Sequence, residues 1–405
     1  MVDAMHMVHR MAALLLCPLC LCGCARPMPL TGTQPLSVIW PEPAPPQPEM
    51  LPPPTQPEVL PEVHTAAVWI PMMVLSDWMD GGEAAFRERA VRALEDCVSL
   101  GIGTVYLHVR AYCDAYYDSA LFPLAGDGSF DPLAIVLEGA HARGIAVHAW
   151  INPLRGDTAK RTASLPEASL LRQWYDDPGS GCLAVVDGRC YLDPSQPAVR
   201  QLICDGAEEI FEHYDVDGLH IDDYFYPTTD PSFDAGNFAT SGQTDLGAFR
   251  RESCTQLIRQ LHDTAAAHSV PFSISPQGNL QTDYDTLYAD VWTWCREGLC
   301  EQIVPQLYYG FDNDTCPFSE TLHKWEEAAG DTPLLIGLAA YKYGQEDPWA
   351  GSGVHEWIDD PQVLTRQLEL VLASDAADGV AFYSYASLGL LPDEERQKIA
   401  AMLGA

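Results

Sequence analysis

The feature that most constrains this chain is a repeat of form. Between residues 64 and 405 a short run with strand character is followed by a helical stretch, eight times over. The strand-like runs fall at 66–73, 104–110, 145–152, 218–225, 271–277, 302–309, 333–341 and 379–385. Helical periodicity is clearest at 83–100, 133–143, 198–214, 246–268, 363–374 and 393–403. Parallel strands need long crossovers, and a helix in every crossover covers the sheet, so eight such units predict a closed (β/α)8 TIM barrel. An open doubly wound sheet would carry a glycine-rich first turn, and none follows Met73. Asp131-Pro132 and Ser195-Gln196-Pro197 read as helix starts, a capping side chain ahead of proline; Gly101 and Gly144 read as helix ends.

Strand side chains alternate between faces, so the runs can be sorted into layers. Val105, Leu107 and Val109 are expected to pack on helices, with Tyr106, His108 and Arg110 inside. Ile145, Val147, Ala149 and Ile151 face out, leaving His148, Trp150 and Asn152 within; Ser273, Ser275, Gln306, Tyr308, Tyr383 and Tyr385 add to the lumen. Polar groups buried by packing alone are costly, and the C-terminal ends of barrel strands are where sites are built. The strongest stretch is Asp217–Pro227: Leu219 and Ile221 lie on one face, His220 and Asp222 on the other, and Asp223 follows before an aromatic loop ends at Pro227.

The segment before the barrel is of another kind. Residues 1–24 combine a weakly basic start, an apolar run from Met11 to Leu21 and Leu21-Cys22-Gly23-Cys24, a pattern similar to a lipoprotein signal in which Cys24 becomes the lipidated first residue. Residues 25–63 hold thirteen prolines and no aliphatic period. Such a stretch buries too little to fold, and at about 3.1 Å per residue it reaches on the order of 100 Å as an extended tether. The expected organisation is a signal over 1–24, a proline-rich tether over 25–63 and a barrel domain over 64–405.

The net charge of −35 argues against nucleic acid and anionic surfaces as partners and leaves glycans open. Of thirteen cysteines, four lie in the signal; the other nine show no CxxC spacing. Cys182 and Cys190 flank a loop and are a candidate pair in an oxidising compartment.

These stretches resemble a known family. Val109-Arg110, Asp114–Ser119, Asp131–Leu133, His141–Gly144, His148–Arg155, Tyr191–Pro194, Asp217–Pro227, Ile274–Pro276, Ala289-Asp290 and Val304–Tyr308 match, in register, glycosyl-hydrolase-like family ten, a (β/α)8 group of cell-envelope proteins. The resemblance spans about residues 66–386 and departs from the family pattern at His108, Gln277–Asn279, Glu301 and Tyr309. It implies hydrolysis of glycosidic bonds, with peptidoglycan strands as the expected polymer.

Glycoside hydrolysis needs an acid and a second carboxylate. Asp222 is the first candidate; Asp223 and Asp114 are the others expected at the rim, with Asp312 and the more distant Asp285 behind them. Asp290 and Glu301 fall at the wrong end of the barrel and read as structural. Arg110, His148, Asn152, His220 and Gln306 are expected to bond sugar hydroxyls; Trp150, Tyr224, Tyr308 and Tyr383 are expected to offer faces to sugar rings. Three readings stand at this level: a glycoside hydrolase, a glycan-binding barrel without turnover, and a metal-dependent hydrolase, for which the first strand lacks a His-x-His. No cofactor or metal is expected, and the expected state is a monomer, lipid-anchored outside the cytoplasm, whose partner is a polysaccharide.

Overall fold

In the computed structural model, residues 65–405 are described, so the signal, the tether and Cys24 lie outside the described residues. Eight parallel strands run β1 Thr65–Ile70, β2 Thr104–Arg110, β3 Ala146–Ile151, β4 Gly218–Ile221, β5 Phe272–Ile274, β6 Gln302–Ile303, β7 Leu335–Leu338 and β8 Gly379–Phe382. Their order is β7-β8-β1-β2-β3-β4-β5-β6, and single bridges from Ile303 to Leu334 and from Gln306 to Gly337 bring β6 onto β7 to close the ring. A main helix follows each strand, with shorter ones in several crossovers: α1 Gly82–Ser99, α2 Pro132–His141, α3 Pro197–His213, α4 Leu246–Ala267, α5 Val291–Arg296, α6 Phe318–Ala329, α7 Val363–Leu372 and α8 Asp393–Met402. The fold is a TIM barrel.

Local chemistry explains the element ends. Asp131 accepts the Ala134 amide ahead of Pro132, and Asp245 and Asp290 cap α4 and α5 in the same way. At α3 proline is in the first turn as expected, but Gln196 occupies the cap without a side-chain bond, so Ser195 is not the capping residue. Gly101 and Gly144 follow α1 and α2 at φ of 73° and 70°, left-handed conformations that a side chain resists.

Two layers of side chains follow from the strand alternation. Val68, Val105, Leu107, Val147, Ala149, Leu219 and Ile221 face the helices in the main core. Ala67, Trp69, Tyr106, Trp150, Val304, Leu335 and Ala381 fill the barrel, with Tyr383 packed on top. Burying Trp69 and Tyr106 completely is worth roughly 3 kcal/mol each.

Most strands are shorter than their apolar runs suggest, and the losses fall mainly at the C-terminal ends. β1 stops at Ile70 because Pro71 ends the ladder, and Met72–Met79 turn into a helix. β4 stops at Ile221 and β6 at Ile303, so the residues beyond them are free to bend over the mouth. Between β3 and α3, Arg155–Thr158, Leu183–Val186 and Arg189–Leu192 form a small antiparallel sheet beside that mouth. Its register sets Cys190 opposite Val185, three residues from Cys182, and the nine cysteines of the described residues are free thiols, so the candidate pair is not formed.

Candidate active site

Asp222 is the first residue after β4 and lies over the packed centre of the barrel, 4% exposed. Trp150 Nε1 and Asn152 Nδ2 donate to its Oδ2 at 3.2 and 3.1 Å, and the Tyr224 amide donates to Oδ1 at 3.3 Å. Burial pushes this carboxyl up to about 8, the adjacent charge of Asp223 adding to the shift, while the donors oppose it. A carboxyl held there keeps its proton at neutral pH.

The donors are themselves held. His108 lies flat on Trp150, ring centroids 3.6 Å apart, and its Nε2 meets Asn152 Oδ1. Burial lowers the His108 imidazole to about 3, so it is neutral: Nδ1 accepts the Met72 amide at 3.5 Å and Nε2 donates to Asn152. That fixes the Asn152 amide with its N–H toward Asp222.

Asp223 turns the other way. Because the ladder has ended, strand alternation no longer applies, and its Oδ1 accepts from Gln306 Nε2 at 3.2 Å on the β6 side. Gln306 is steadied by the Ser275 carbonyl, also at 3.2 Å. Burial raises the Asp223 carboxyl too. A third carboxylate completes the group: Asp283, fully buried, accepts the Gln277 amide at 3.2 Å through Oδ1, and its Oδ2 has no partner. Burial, and then the charge of Asp223, push it well above its ordinary value. Sequence reasoning missed Asp283 and named from this segment only Asp285, as a weaker candidate, which is exposed and bonded to Gln281 at 2.6 Å. No periodic signal separates the two; the winding of 283–287 decides which is buried.

Tyr308, Tyr341 and Tyr383 form a ring cluster at centroid distances of 5.8 to 6.0 Å. After burial, the charges of Asp222 and Asp223 are the next causes that raise the Tyr383 hydroxyl, which places it beside the pair. Tyr224 lies under the Arg155 guanidinium at 4.1 Å. Trp150, Asn152, Tyr224, Gln306, Tyr308 and Tyr383 are therefore gathered around Asp222 and Asp223.

Four expected residues are not. Arg110 is on the helix side, because the β2–β3 register shifts between His108 and Arg110; its guanidinium sits over Phe122 at 4.4 Å and against Gly206 of α3. His148 lies deeper in the barrel, in register with Tyr106 and Gly218, and burial lowers it to about 4. His220 is fully buried under the site: Trp69 Nε1 donates to its Nε2 at 3.0 Å, so its Nδ1 carries the hydrogen and donates to Ser273 Oγ at 2.8 Å. Neither nitrogen is left for a ligand. Asp114 accepts the amides of Ala111 and Tyr112 at 3.0 and 2.9 Å, fastening its own loop rather than joining the pair. Asp312 is exposed, and Asp290 and Glu301 stay in structural positions, at the α5 cap and the Phe272 amide.

Among the described residues, no three His, Cys, Asp or Glu side chains converge as a metal-binding group, and no helix is long and apolar enough to cross a membrane.

Comparison with known proteins agrees with the barrel fold. The family model described as Glycosyl hydrolase-like 10 matches residues 64–351. The chain is 32% identical to Glycosyl hydrolase YngK of Bacillus subtilis over 349 residues, spanning 76% of this chain and 66% of that protein. It is 29% identical to Glycosyl hydrolase DigH of Escherichia coli over 352 residues, 75% of this chain and 76% of that protein. Among solved structures, the PgaB glycoside hydrolase domain of Bordetella bronchiseptica superposes with a TM-score of 0.55 at 14% identity, covering 83% of this chain and 98% of that one. The catalytic domain of beta-amylase from Paenibacillus polymyxa gives 0.53 at 11% identity, covering 86% and 100%. At these identities the structural likeness speaks for the barrel alone.

Proposed function

Because this chain belongs to the glycosyl hydrolase-like 10 family, we propose that it is a glycoside hydrolase that cleaves O-glycosidic bonds in cell-envelope glycan, peptidoglycan strands first among them, with Asp222 as the general acid. The observation that carries the reading is the Asp222 carboxyl, buried at the centre of the mouth and pushed up to about 8. A glycosidic oxygen is a poor leaving group until it is protonated, and an acid that keeps its proton at neutral pH supplies that proton as the C–O bond breaks. Asp223, whose anion Gln306 favours, is the carboxylate that attacks the anomeric carbon or activates water for that attack. Trp150 and Asn152 hold the acid in place, and Tyr224, Tyr308 and Tyr383 shape the walls against which sugar rings lie.

The same reading puts the enzyme outside the cytoplasm as a monomer, lipidated at Cys24, with residues 25–63 holding the barrel away from the membrane. The support for this part is the composition of residues 1–63 alone.

The test is release of new reducing ends from peptide-free peptidoglycan strands by wild type and Asp222→Asn, each with and without chelator. Release by wild type that collapses in the variant and ignores chelator is the expected result. Equal release by both forms removes Asp222 from the chemistry. Binding by both forms without release turns the barrel into a glycan-binding module.

A further inference from the structure

Next to the carboxylates, two guanidinium groups from two segments lie over two aromatic rings from two others. Tyr224, after β4, lies on the Arg155 guanidinium at 4.1 Å; Arg155 lies on Tyr112, after β2, at 4.5 Å; and Arg189, from the small antiparallel sheet, lies over Tyr112, also at 4.5 Å. Cations and rings are thus interleaved in a column beside the catalytic pair. Stacking fixes the plane of each guanidinium and leaves its N–H edge as the part that can bond.

Those edges are unsatisfied. Arg155 Nε and Arg189 Nε are buried and without partners. Arg155 makes no ion pair and its side chain no hydrogen bond with a described residue, although Asp222 and Asp223 are near enough for their charge to act on it. Arg189 uses one terminal nitrogen, on the Gly156 carbonyl at 3.0 Å. A buried N–H without an acceptor is costly unless something else supplies one. Of the column only Tyr112 lines the neighbouring cavity of about 350 Å³, which Asp114, Gly156, Asp157, Thr158 and Arg161 also line. Two cations kept open in one place are conspicuous in a chain whose charge is −35. Such a chain repels anions at long range and can take one only through fixed local cations.

We infer that Arg155 and Arg189 form an acid-recognising subsite: their guanidinium edges bind a carboxylate borne by the glycan beside the bond that is cut, so that the substrate is an acidic rather than a neutral polymer. The inference rests on the hydrolase reading for the position of that bond, and on the column alone for the carboxylate. Arg155 sets the sugar nearest the acid, and Arg189 extends the same preference along the strand. Planar paired N–H donors suit a carboxylate, and a charge-assisted contact of that kind is worth about ten-fold or more in affinity.

The experiment compares peptide-free peptidoglycan strands, whose lactyl carboxylates are free, with the same strands after those carboxylates are converted to amides. Cleavage is followed as kcat/KM for wild type, Arg155→Gln and Arg189→Gln. Binding of both strands is followed in an Asp222→Asn background, which needs no turnover. Circular dichroism melting checks that each variant is folded, and Arg155→Lys, which keeps the charge but loses the fork, stands in where Arg155→Gln is not. Wild type is expected to prefer the acidic strand by about ten-fold or more, and Arg155→Gln to reduce that ratio to about two-fold or less, with Arg189→Gln intermediate. A ratio that Arg155→Gln leaves unchanged, or a wild type that binds both strands alike, overturns the subsite. Binding with the acid preference but no cleavage by wild type refutes the hydrolase reading and upholds the subsite.

Discussion

The inside of this barrel holds two polar regions that treat the same problem in opposite ways. In the lower one, Trp69 donates to His220, His220 to Ser273 and Ser273 to the Leu219 carbonyl, while Tyr106 stacks on His220 at 3.9 Å and donates to Gln302 at 2.8 Å. Every member of that column has its partner and burial keeps its histidine neutral, while His148, edge-on to Tyr106 beside it, leaves Nδ1 without one. In the upper region the charge of Asp223 acts on the buried carboxyls of both Asp222 and Asp283, and Asp283 Oδ2, Arg155 Nε and Arg189 Nε end without partners. A buried network that closes on itself adds rigidity; one left open keeps its groups available at an energetic cost. The contrast separates scaffold from site better than residue type does, since His220 and Asp222 are two positions apart on one strand end.

Substitutions that cross the boundary should act on different observables. Asp222→Asn should lower kcat by roughly 10³-fold while leaving the fold intact, checked by reducing-end release beside circular dichroism. Activity should fall about ten-fold per pH unit above about 8, as Asp222 loses the proton it has to donate, a limb read from kcat/KM against pH. His220→Ala leaves Trp69 and Ser273 unpaired around a cavity and should cost about 3 kcal/mol in denaturant melts.

Asp222→Asn should have the opposite effect on stability. Its carboxyl is raised in the folded state, so the fold binds that proton more tightly than the unfolded chain does. The stability it contributes is present below the unfolded value near 4 and falls as pH rises from about 4 to about 8. The variant should remove part of that slope and be more stable than wild type by about 1 kcal/mol at pH 8, measured by melts at both ends of the window. Asp283→Asn should do least. Its carboxyl bonds the Gln277 amide and makes no hydrogen bond with Trp150, Asn152 or Gln306, so kcat should change by less than about three-fold.

What the sequence made legible, and what it hid, follows the same boundary. Where strands persist, side chains alternate with period two, and the inward set Tyr106, His148, Trp150 and His220 could be read directly. Their roles could not, because the partners that occupy His220 sit 151 and 53 residues away on other strands. Arg110 was misplaced by a single register shift, which moves a side chain to the other face. Beyond Asp222 and Asn152 no period applies. The direction of Asp223, the column built on Arg155 and the burial of Asp283 were therefore invisible, although Arg155 stands within a matching stretch. Asp222 was legible because it continues the inward alternation by one residue past the ladder.

The central claim is that burial, with the charge of Asp223 added to it, holds a proton on Asp222. The most direct test is a 13C NMR titration of the aspartate carboxyl carbons, with Asp222→Asn used for assignment and Asp223→Asn for the neighbour. The account predicts an Asp222 resonance that titrates near 8 in wild type and at lower pH once the Asp223 charge is gone. A resonance that titrates near 4 in both forms would contradict it.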